Sequence, residues 1–432
     1  MLMKDIINCK DLFVGLDTLV PNTNGENVRY INFDNAATTP PFKEELKVLE
    51  NYMNYYSSIG RGNGYKAKIS TEIYEESRNR VKKFFNIDNN DSYTVIYGMN
   101  TTGCMNLLAN TLIDDKKDII IATRMEHHSN DLPWRRVGTV KYVEVDEKGK
   151  LKLDQFETLA KKYAGKLKVI TVSGASNVTG YINDINYVAR IAHKYGAMMV
   201  VDGAQLVPHR KINLNKKNFE EEIDYLVFSA HKMYAPFGTG VIVGKKTPFI
   251  KKDSSMPGGG TVDIVGHDRV FWLDPPEKVE GGTQNIVGVL ALMISMDEVE
   301  KIGFDLMEKQ ESLLRDHFTD EIKAMKNIKL YYDTDEKNRL GVCGFNIEGI
   351  YHEVLAEYLG KDCSIGIRDG CFCAQPYVKK ILGIRDQDTF VLAYDKTLKS
   401  PGIVRVSFAP YNTISEVDYC LECINRFISK KR

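Results

Sequence analysis

Neither sign of charge is in excess in this chain. Its 432 residues carry 58 Lys plus Arg against 58 Asp plus Glu, for a formal net charge of zero, and no basic block interrupts the balance. That excludes a protein that works by electrostatic attraction to nucleic acid or to an anionic membrane surface. Long apolar runs are missing as well. The longest, residues 286–296, contains Gly288 and Ser295, and it falls short of the roughly 20 residues that a membrane-spanning helix needs. The opening Met1-Leu2-Met3-Lys4-Asp5-Ile6-Ile7-Asn8 lacks the unbroken apolar stretch of a secretion signal. Repeats of fixed period and low-complexity tracts are absent. Cysteine is sparse, eight in the whole chain. Without a secretion signal, eight thiols point to a reducing cytoplasm and to free cysteines, any of which is available as a reagent.

What is present suffices for a large core: 43% apolar residues and 10% aromatics. The length predicts about two or three domain-sized units. Strand-like runs lie at residues 93–97, 119–122, 141–145, 169–172, 198–201, 225–228 and 241–243, several of them continuously apolar, as in strands covered on both faces. Helical patterns lie between them. Asp184 caps a helix with Ile185, Val188, Ala189 and Ala192 on one face and Gly196 as its stop. After Pro40-Pro41, residues Phe42, Leu46, Leu49, Met53 and Tyr56 recur at helical spacing and predict one apolar face. Alternating strands and helices predict an α/β fold with a mostly parallel sheet.

The pattern changes near residue 290. A charged helical stretch over 289–325 leads to short strands at 328–332 and 342–347, and Thr413 with Glu416 forms a capping box for a final helix. The expected organisation is an N-terminal segment, 1–25, packing with a smaller α+β C-terminal domain, 291–432, and a large domain, 26–290.

Two strand ends carry unusual chemistry. Residues 198–201 run into Asp202-Gly203-Ala204-Gln205, and 225–228 into Ser229-Ala230-His231-Lys232. Ligands of open α/β sheets gather beyond the carboxyl ends of strands. Either segment alone reads as polar loop; together they predict a site. A lysine beside an aspartate and a hydroxyl suits pyridoxal phosphate, whose aldehyde lysine can hold and whose ring nitrogen an aspartate can keep protonated. The phosphate wants a helix N-terminus, and Asn100-Thr101-Thr102-Gly103-Cys104 opens one, although the same residues also make a plain N-cap.

With these residues in view, the chain resembles the fold-type I, class V aminotransferase-like pyridoxal phosphate enzymes. Within them it is most similar to the SufS-type cysteine desulfurases, with the selenocysteine lyases as near relatives. The resemblance runs from residue 30 to Arg405. It is most specific at Met125-Glu126-His127-His128-Ser129-Asn130, Ser176-Asn177-Val178-Thr179-Gly180, residues 201–205, residues 229–232 and Arg368-Asp369-Gly370-Cys371-Phe372-Cys373-Ala374-Gln375-Pro376.

It implies a large domain with a seven-stranded type of sheet and a smaller domain carrying the cysteine loop. It implies that Lys232 holds the cofactor, that Asp202 pairs with the ring nitrogen and that His127 stacks on the ring. Gln205 and Asn177 would lie near the phenolic oxygen, and Thr101, Thr102, Ser229 and His231 would hold the phosphate. Gly282-Thr283 would complete the phosphate site from the other subunit of a homodimer. Arg405 would clamp the substrate carboxylate, joined by Arg368, Asn35 and Ala36, and Cys373 would be the nucleophile that takes sulfur from L-cysteine, with selenocysteine as the alternative substrate. A sulfur-acceptor protein would follow; nucleic acid and membrane are not expected.

Alternatives stay open at this point. His127 and His128 also read as a solvated pair or as metal ligands, and Arg405 as a surface ion-pair residue. No third ligand stands at metal-site spacing, and residues 371/373 with 420/423 do not make the doubled Cys-x-x-Cys pattern of a zinc site, so no metal is expected. Two positions depart from the resemblance: Cys371 and Gly60, the latter before Arg61, stand where relatives carry histidine. A C–S lyase, an epimerase-like enzyme, a non-catalytic sulfur carrier and a redox module remain the rival readings.

Overall fold

The computed structural model of the chain describes residues 4–60, 62–87, 90–395 and 397–430. Arg61 lies outside them. Seven strands form the central sheet: β1 (Tyr93–Gly98), β2 (Ile119–Thr123), β3 (Thr139–Val143), β4 (Leu167–Ser173), β5 (Met198–Asp202), β6 (Tyr225–Ser229) and β7 (Gly240–Lys245). Their order is β1-β7-β6-β5-β4-β2-β3. Only β7 runs against its neighbours, pairing antiparallel with both β1 and β6. The sheet is therefore mostly parallel, as expected, and all its strands but the half-buried edge strand β3 are buried on both faces, which is why several read as unbroken apolar runs.

Helices cover the faces. Asp184 caps Ile185–Lys194 by accepting from the Tyr187 N–H at 2.9 Å, and Gly196 ends it in the left-handed region at φ 71°. The charged stretch over 289–325 resolves into α5 (Ile286–Ile302) and α6 (Phe304–Lys323), broken at Gly303, whose φ of 88° a side chain would strain. The expected boundary at residue 290 thus falls inside the first turns of α5.

One expectation fails. The helix after Pro40-Pro41, α1 (Lys43–Met53), buries Glu45, Leu49 and Tyr52, while Leu46, Met53 and Tyr56 are exposed. Phe42 is outside the helix and stacks on Phe13 at 4.5 Å between ring centroids. The helix turns this face inward because α5 packs along it. Sequence spacing marks apolar positions but not which neighbour a helix meets.

A second sheet is antiparallel throughout: β8 (Ile328–Leu330), β9 (Val342–Ile347), β10 (Arg368–Gly370) and β11 (Ile403–Ser407), in the order β8-β9-β11-β10. The last helix, Ile414–Lys430, covers a separate apolar cluster on this side. Its capping box forms: Thr413 N–H donates to Glu416 Oε2 at 3.2 Å and Glu416 N–H to Thr413 Oγ1 at 3.4 Å. The N-terminal segment contacts both parts. Ile6 N–H donates to Gln310 Oε1, Ile414 N–H donates to Asp5 Oδ1, and Lys10 pairs with Glu416, whereas Cys9 and Phe13 join the core of the large sheet. Residues Ile31–Asn32 pair in parallel with Ile365–Gly366, which leads the chain from one sheet past the other. Among the described residues, no helix is long and apolar enough to cross a membrane.

Candidate active site

Because the strands are parallel, their carboxyl ends share one edge. Ser173 pairs in register with Asp202, and β6 runs on to Ser229. A cavity of about 290 Å³ opens there. Thr101, Thr102, His127, Asn177, Asp202, Gln205, Ser229, His231, Lys232 and Ala36 line it from the large-sheet side, and Arg368, Cys373 and Arg405 from the second sheet. Asn35 does not line it, and Gly282 and Thr283, expected at the other subunit's phosphate site, lie elsewhere. Asn35 is buried, and its amide donates to the Ser407 carbonyl and to Asn412 Oδ1. Gly282 and Thr283 line a second cavity of about 560 Å³ on the outer side of the helix that opens at Thr101.

One end of the site is a cup of hydroxyls at a helix N-terminus. Asn100 caps Thr101–Leu112 by accepting from Gly103 N–H at 3.0 Å. Ser229 Oγ accepts from Thr101 N–H at 2.8 Å and lies 2.7 Å from Thr101 Oγ1. Thr102 Oγ1 lies 2.6 Å from Ser129 Oγ. Hydroxyls and the helix dipole favour an anion here. Burial, with Lys232 nearby, pushes His231 down to about 4, so that ring is neutral.

The other end holds a carboxylate. Asp202 Oδ1 accepts from Ala204 N–H at 3.0 Å, and burial raises the carboxyl above its ordinary range. Gln205 Nε2 donates to the Ala36 carbonyl at 2.7 Å. Between the ends, the Lys232 amine follows Ser229 in a single tight turn. Burial pushes it down to about 8; Asp202 and Cys373 pull it up, Arg405 and Arg368 down. Among the described residues it has no hydrogen-bond partner, which leaves its lone pair available.

His127 forms one wall. Its Nδ1 accepts from Ser129 N–H at 3.1 Å, which assigns the proton of the neutral ring to Nε2. Burial, reinforced by Lys232, pushes it down to about 3. The turn is anchored by Glu126, whose carboxyl accepts from Thr123 Oγ1, Ser173 N–H, Ser173 Oγ and Asn130 Nδ2. His127 is partly buried and lines the cavity. Among the described residues, no three metal-ligating side chains converge.

Arg405 is 1% exposed, so it is no surface residue. Its Nη2 donates to Asp34 Oδ1 at 2.7 Å and its Nη1 to the Asn177 carbonyl at 2.9 Å. The guanidinium stacks on Phe372, 4.7 Å from the ring centroid, and its buried Nε has no partner. The cysteine loop is a short, pinned turn. Phe372 and Cys373 both take left-handed φ, 50° and 53°. Asn177 Nδ2 donates to the Phe372 carbonyl, and His128 N–H to the Cys373 carbonyl at 2.7 Å. Cys373 is exposed and opens onto the cavity, whereas Cys371 donates its S–H to the Pro401 carbonyl at 3.1 Å.

Sequence reasoning missed Asp34, Ser129, Ser173 and Phe372. Three of them lie within or beside segments it had singled out; Ser173 had no signal beyond ending a strand.

The comparisons with known proteins agree with this geometry. Residues 31–420 match the family profile described as aminotransferase class-V. A probable cysteine desulfurase of Halalkalibacterium halodurans is 33% identical over 418 residues, covering 95% of this chain and 94% of the relative. One from Pyrococcus abyssi is 32% identical over 411 residues, covering 93% and 95%. The apo structure of a cysteine desulfurase from Thermococcus onnurineus superposes with a TM-score of 0.82 at 31% identity, covering 93% and 95% of the two chains. A match over nearly the whole length, with the conserved fold carrying the lysine, aspartate and cysteine to one cavity, leaves one assignment: this chain belongs to the aminotransferase class-V family.

Proposed function

We propose that the chain is a pyridoxal phosphate-dependent cysteine desulfurase that converts L-cysteine to L-alanine and receives the sulfur on Cys373 as a persulfide. One observation carries the reading: a buried amine, a buried carboxylate and an accessible thiol face a single cavity, Lys232, Asp202 and Cys373. The residues present fit the cofactor. The hydroxyl cup at Thr101, Thr102 and Ser229 matches its phosphate, Asp202 its basic ring nitrogen, and the unpartnered Lys232 amine its aldehyde. When bound, pyridoxal phosphate supplies the electron sink that loosens the bonds at the substrate Cα.

The chain's own residues do the rest. Arg405 and Arg368 attract the substrate carboxylate. His127 covers one face of the site with Nε2–H toward the cavity. Lys232, whose amine burial brings down to about 8, takes and returns the Cα proton. The Cys373 thiolate attacks the substrate sulfur: an S–S bond forms, the Cβ–S bond breaks, and Cβ takes up a proton to give alanine.

A homodimer fits the second cavity. Gly282 and Thr283 line it together with the outer side of the phosphate-cup helix, and exposed Met99, Phe237 and Met256 stand around it. A second copy would cover these apolar residues and bring Thr283 to the partner's phosphate cup. Eight free cysteines suit the cytoplasm. The accessible Cys373 suits hand-over of sulfur to an acceptor protein. The proposed division into 1–25, 26–290 and 291–432 is supported by the strands of the mostly parallel sheet lying within 93–245 and those of the antiparallel sheet within 328–407.

Incubation of the holoprotein with L-cysteine, with alanine and protein-bound persulfide measured together, tests the reading. Alanine is expected to form, Lys232→Ala to lose the cofactor absorbance, and Cys373→Ala to lose alanine formation. Full alanine formation by Cys373→Ala would overturn the persulfide route. A parallel arm with selenocysteine separates a selenocysteine lyase, which turns over the selenium compound alone.

A further inference from the structure

The base of the cysteine loop is held by a histidine that the reaction does not use. His352 is 6% exposed and opens the helix His352–Lys361. Its Nδ1 lies 2.6 Å from Asp369 Oδ2 and its Nε2 lies 3.0 Å from the Ser400 carbonyl oxygen. Both partners accept only: a carbonyl oxygen has no proton to give, and an ionised carboxylate has none either. A neutral imidazole carries one N–H and can satisfy one of them. Both contacts together require the imidazolium.

Each partner belongs to a segment that matters for Cys373. Asp369 is the middle residue of β10, three residues before Phe372 and four before Cys373, and Arg368 beside it lines the cavity. Ser400 precedes Pro401, whose carbonyl accepts the Cys371 S–H. Gly402 packs so closely that a Cβ there would lie 2.5 Å from Gly370 Cα and 2.6 Å from His352 Nε2. Loop base, histidine and the 400–402 strap therefore meet with no spare volume.

We propose that His352 is a positioning residue for the Cys373 loop: as an imidazolium it ties Asp369 to the Ser400 strap, and loss of one proton releases one of the two ties. The proposal rests on the reading of Cys373 as the sulfur acceptor. The groups around the ring are few. Asp369 and Glu353 favour its charge, and the Tyr351 ring lies tilted against it with centroids 4.2 Å apart, Lys399 Nζ being 4.6 Å from the Tyr351 ring centroid. The helix N-terminus opposes the charge. Burial also opposes it, yet Asp369 and the Ser400 carbonyl outweigh both, and the pKa is raised above the ordinary histidine value. The clasp is then complete while the ring is charged and opens as pH rises through that raised value.

Two measurements on the holoprotein test this. In NMR of protein labelled at histidine, the signal absent from His352→Gln should show both ring nitrogens protonated at pH 7, and should titrate above free histidine. Asp369→Asn keeps an acceptor but removes the charge, and should lower that titration. Second, the alkylation rate of Cys373 by iodoacetamide, read at that residue by mass spectrometry, should show an extra rise across the His352 titration. In His352→Gln the extra rise should vanish, with alkylation severalfold faster than wild type at pH 6. A singly protonated ring at pH 7, or a titration unmoved in Asp369→Asn, overturns the proposal, and so does identical Cys373 alkylation in wild type and His352→Gln. None of these readouts depends on cysteine turnover. A protein that makes no alanine but keeps the clasp would refute the proposed activity alone.

Discussion

Arg405 lies directly opposite Arg368 in the antiparallel pairing of β11 and β10. Like charges across a ladder repel, and Asp34 offsets the repulsion: it accepts from Arg405 Nη2 at 2.7 Å and lies 3.8 Å from Arg368. Two guanidinium groups and one carboxylate leave a surplus positive charge at the cavity wall, suited to a substrate carboxylate. Lysine at position 405 would keep that charge but lose the fork that reaches Asp34 and the Asn177 carbonyl together. Hydrogen bonds to charged groups contribute about 1.5–3 kcal/mol. Arg405→Lys is therefore expected to raise KM for L-cysteine by about tenfold to a hundredfold, with a smaller change in kcat. An unchanged KM in steady-state alanine assays would show that the carboxylate is held elsewhere.

Lys232 sets a pH expectation. Its amine is pushed from the usual 10.5 down to about 8, so the neutral form becomes available two or so pH units early. Capture of pyridoxal phosphate by the apoprotein, followed by absorbance, should accelerate as pH rises toward 8 and level off above it. Asp202 is the neighbour that pulls the amine up most, so Asp202→Asn should move the midpoint lower. A wild-type rate still climbing steeply above pH 9 contradicts the assigned environment.

Glu280 anchors the segment that leads into Gly282-Thr283. It accepts from Arg78 at 2.8 Å and 3.0 Å, from Tyr97 N–H at 2.6 Å and from Tyr74 OH at 2.8 Å, and it is buried. Removing one partner of a buried pair costs about 3–5 kcal/mol because the other charge stays behind. Glu280→Ala should lower the urea midpoint of unfolding and weaken self-association in sedimentation. Normal association in this variant would separate the 282–283 segment from the proposed dimer contact.

Glu45 gives the opposite pH dependence from most carboxylates. It is fully buried against α5, and burial pushes it up to about 9. The unfolded chain ionises near 4.5. Unfolding therefore releases a proton between those values, and the folded state loses stability as pH rises through that window. Thermal melts of Glu45→Gln should lack this decline. Parallel curves for variant and wild type from pH 5 to 9 would rule it out.

Cys371 points its S–H at the Pro401 carbonyl, away from the cavity. Serine can make the same contact, so Cys371→Ser should leave alanine formation unchanged. A clear fall in persulfide transfer to an added thiol, with alanine formation intact, would assign Cys371 to relay.

The sequence by itself determined the alternation of buried strands and helices, because residues covered on both faces must be apolar, and it determined which chemistry stands at the strand ends, because Asp202 and Ser229 end their strands and Lys232 follows three residues on. It also named Cys373 through its neighbours in the loop. Tertiary structure decided the rest. Which face of α1 is buried depends on α5, more than 230 positions away, and turned Glu45 inward and Met53 outward. The Asp34–Arg405 contact joins residues 371 positions apart, and Asn35, expected at the substrate, was drawn instead into the Ser407–Asn412 network. Polarity and spacing record what each residue needs from its own element. Which distant partner supplies that need is settled only when the two sheets close on each other.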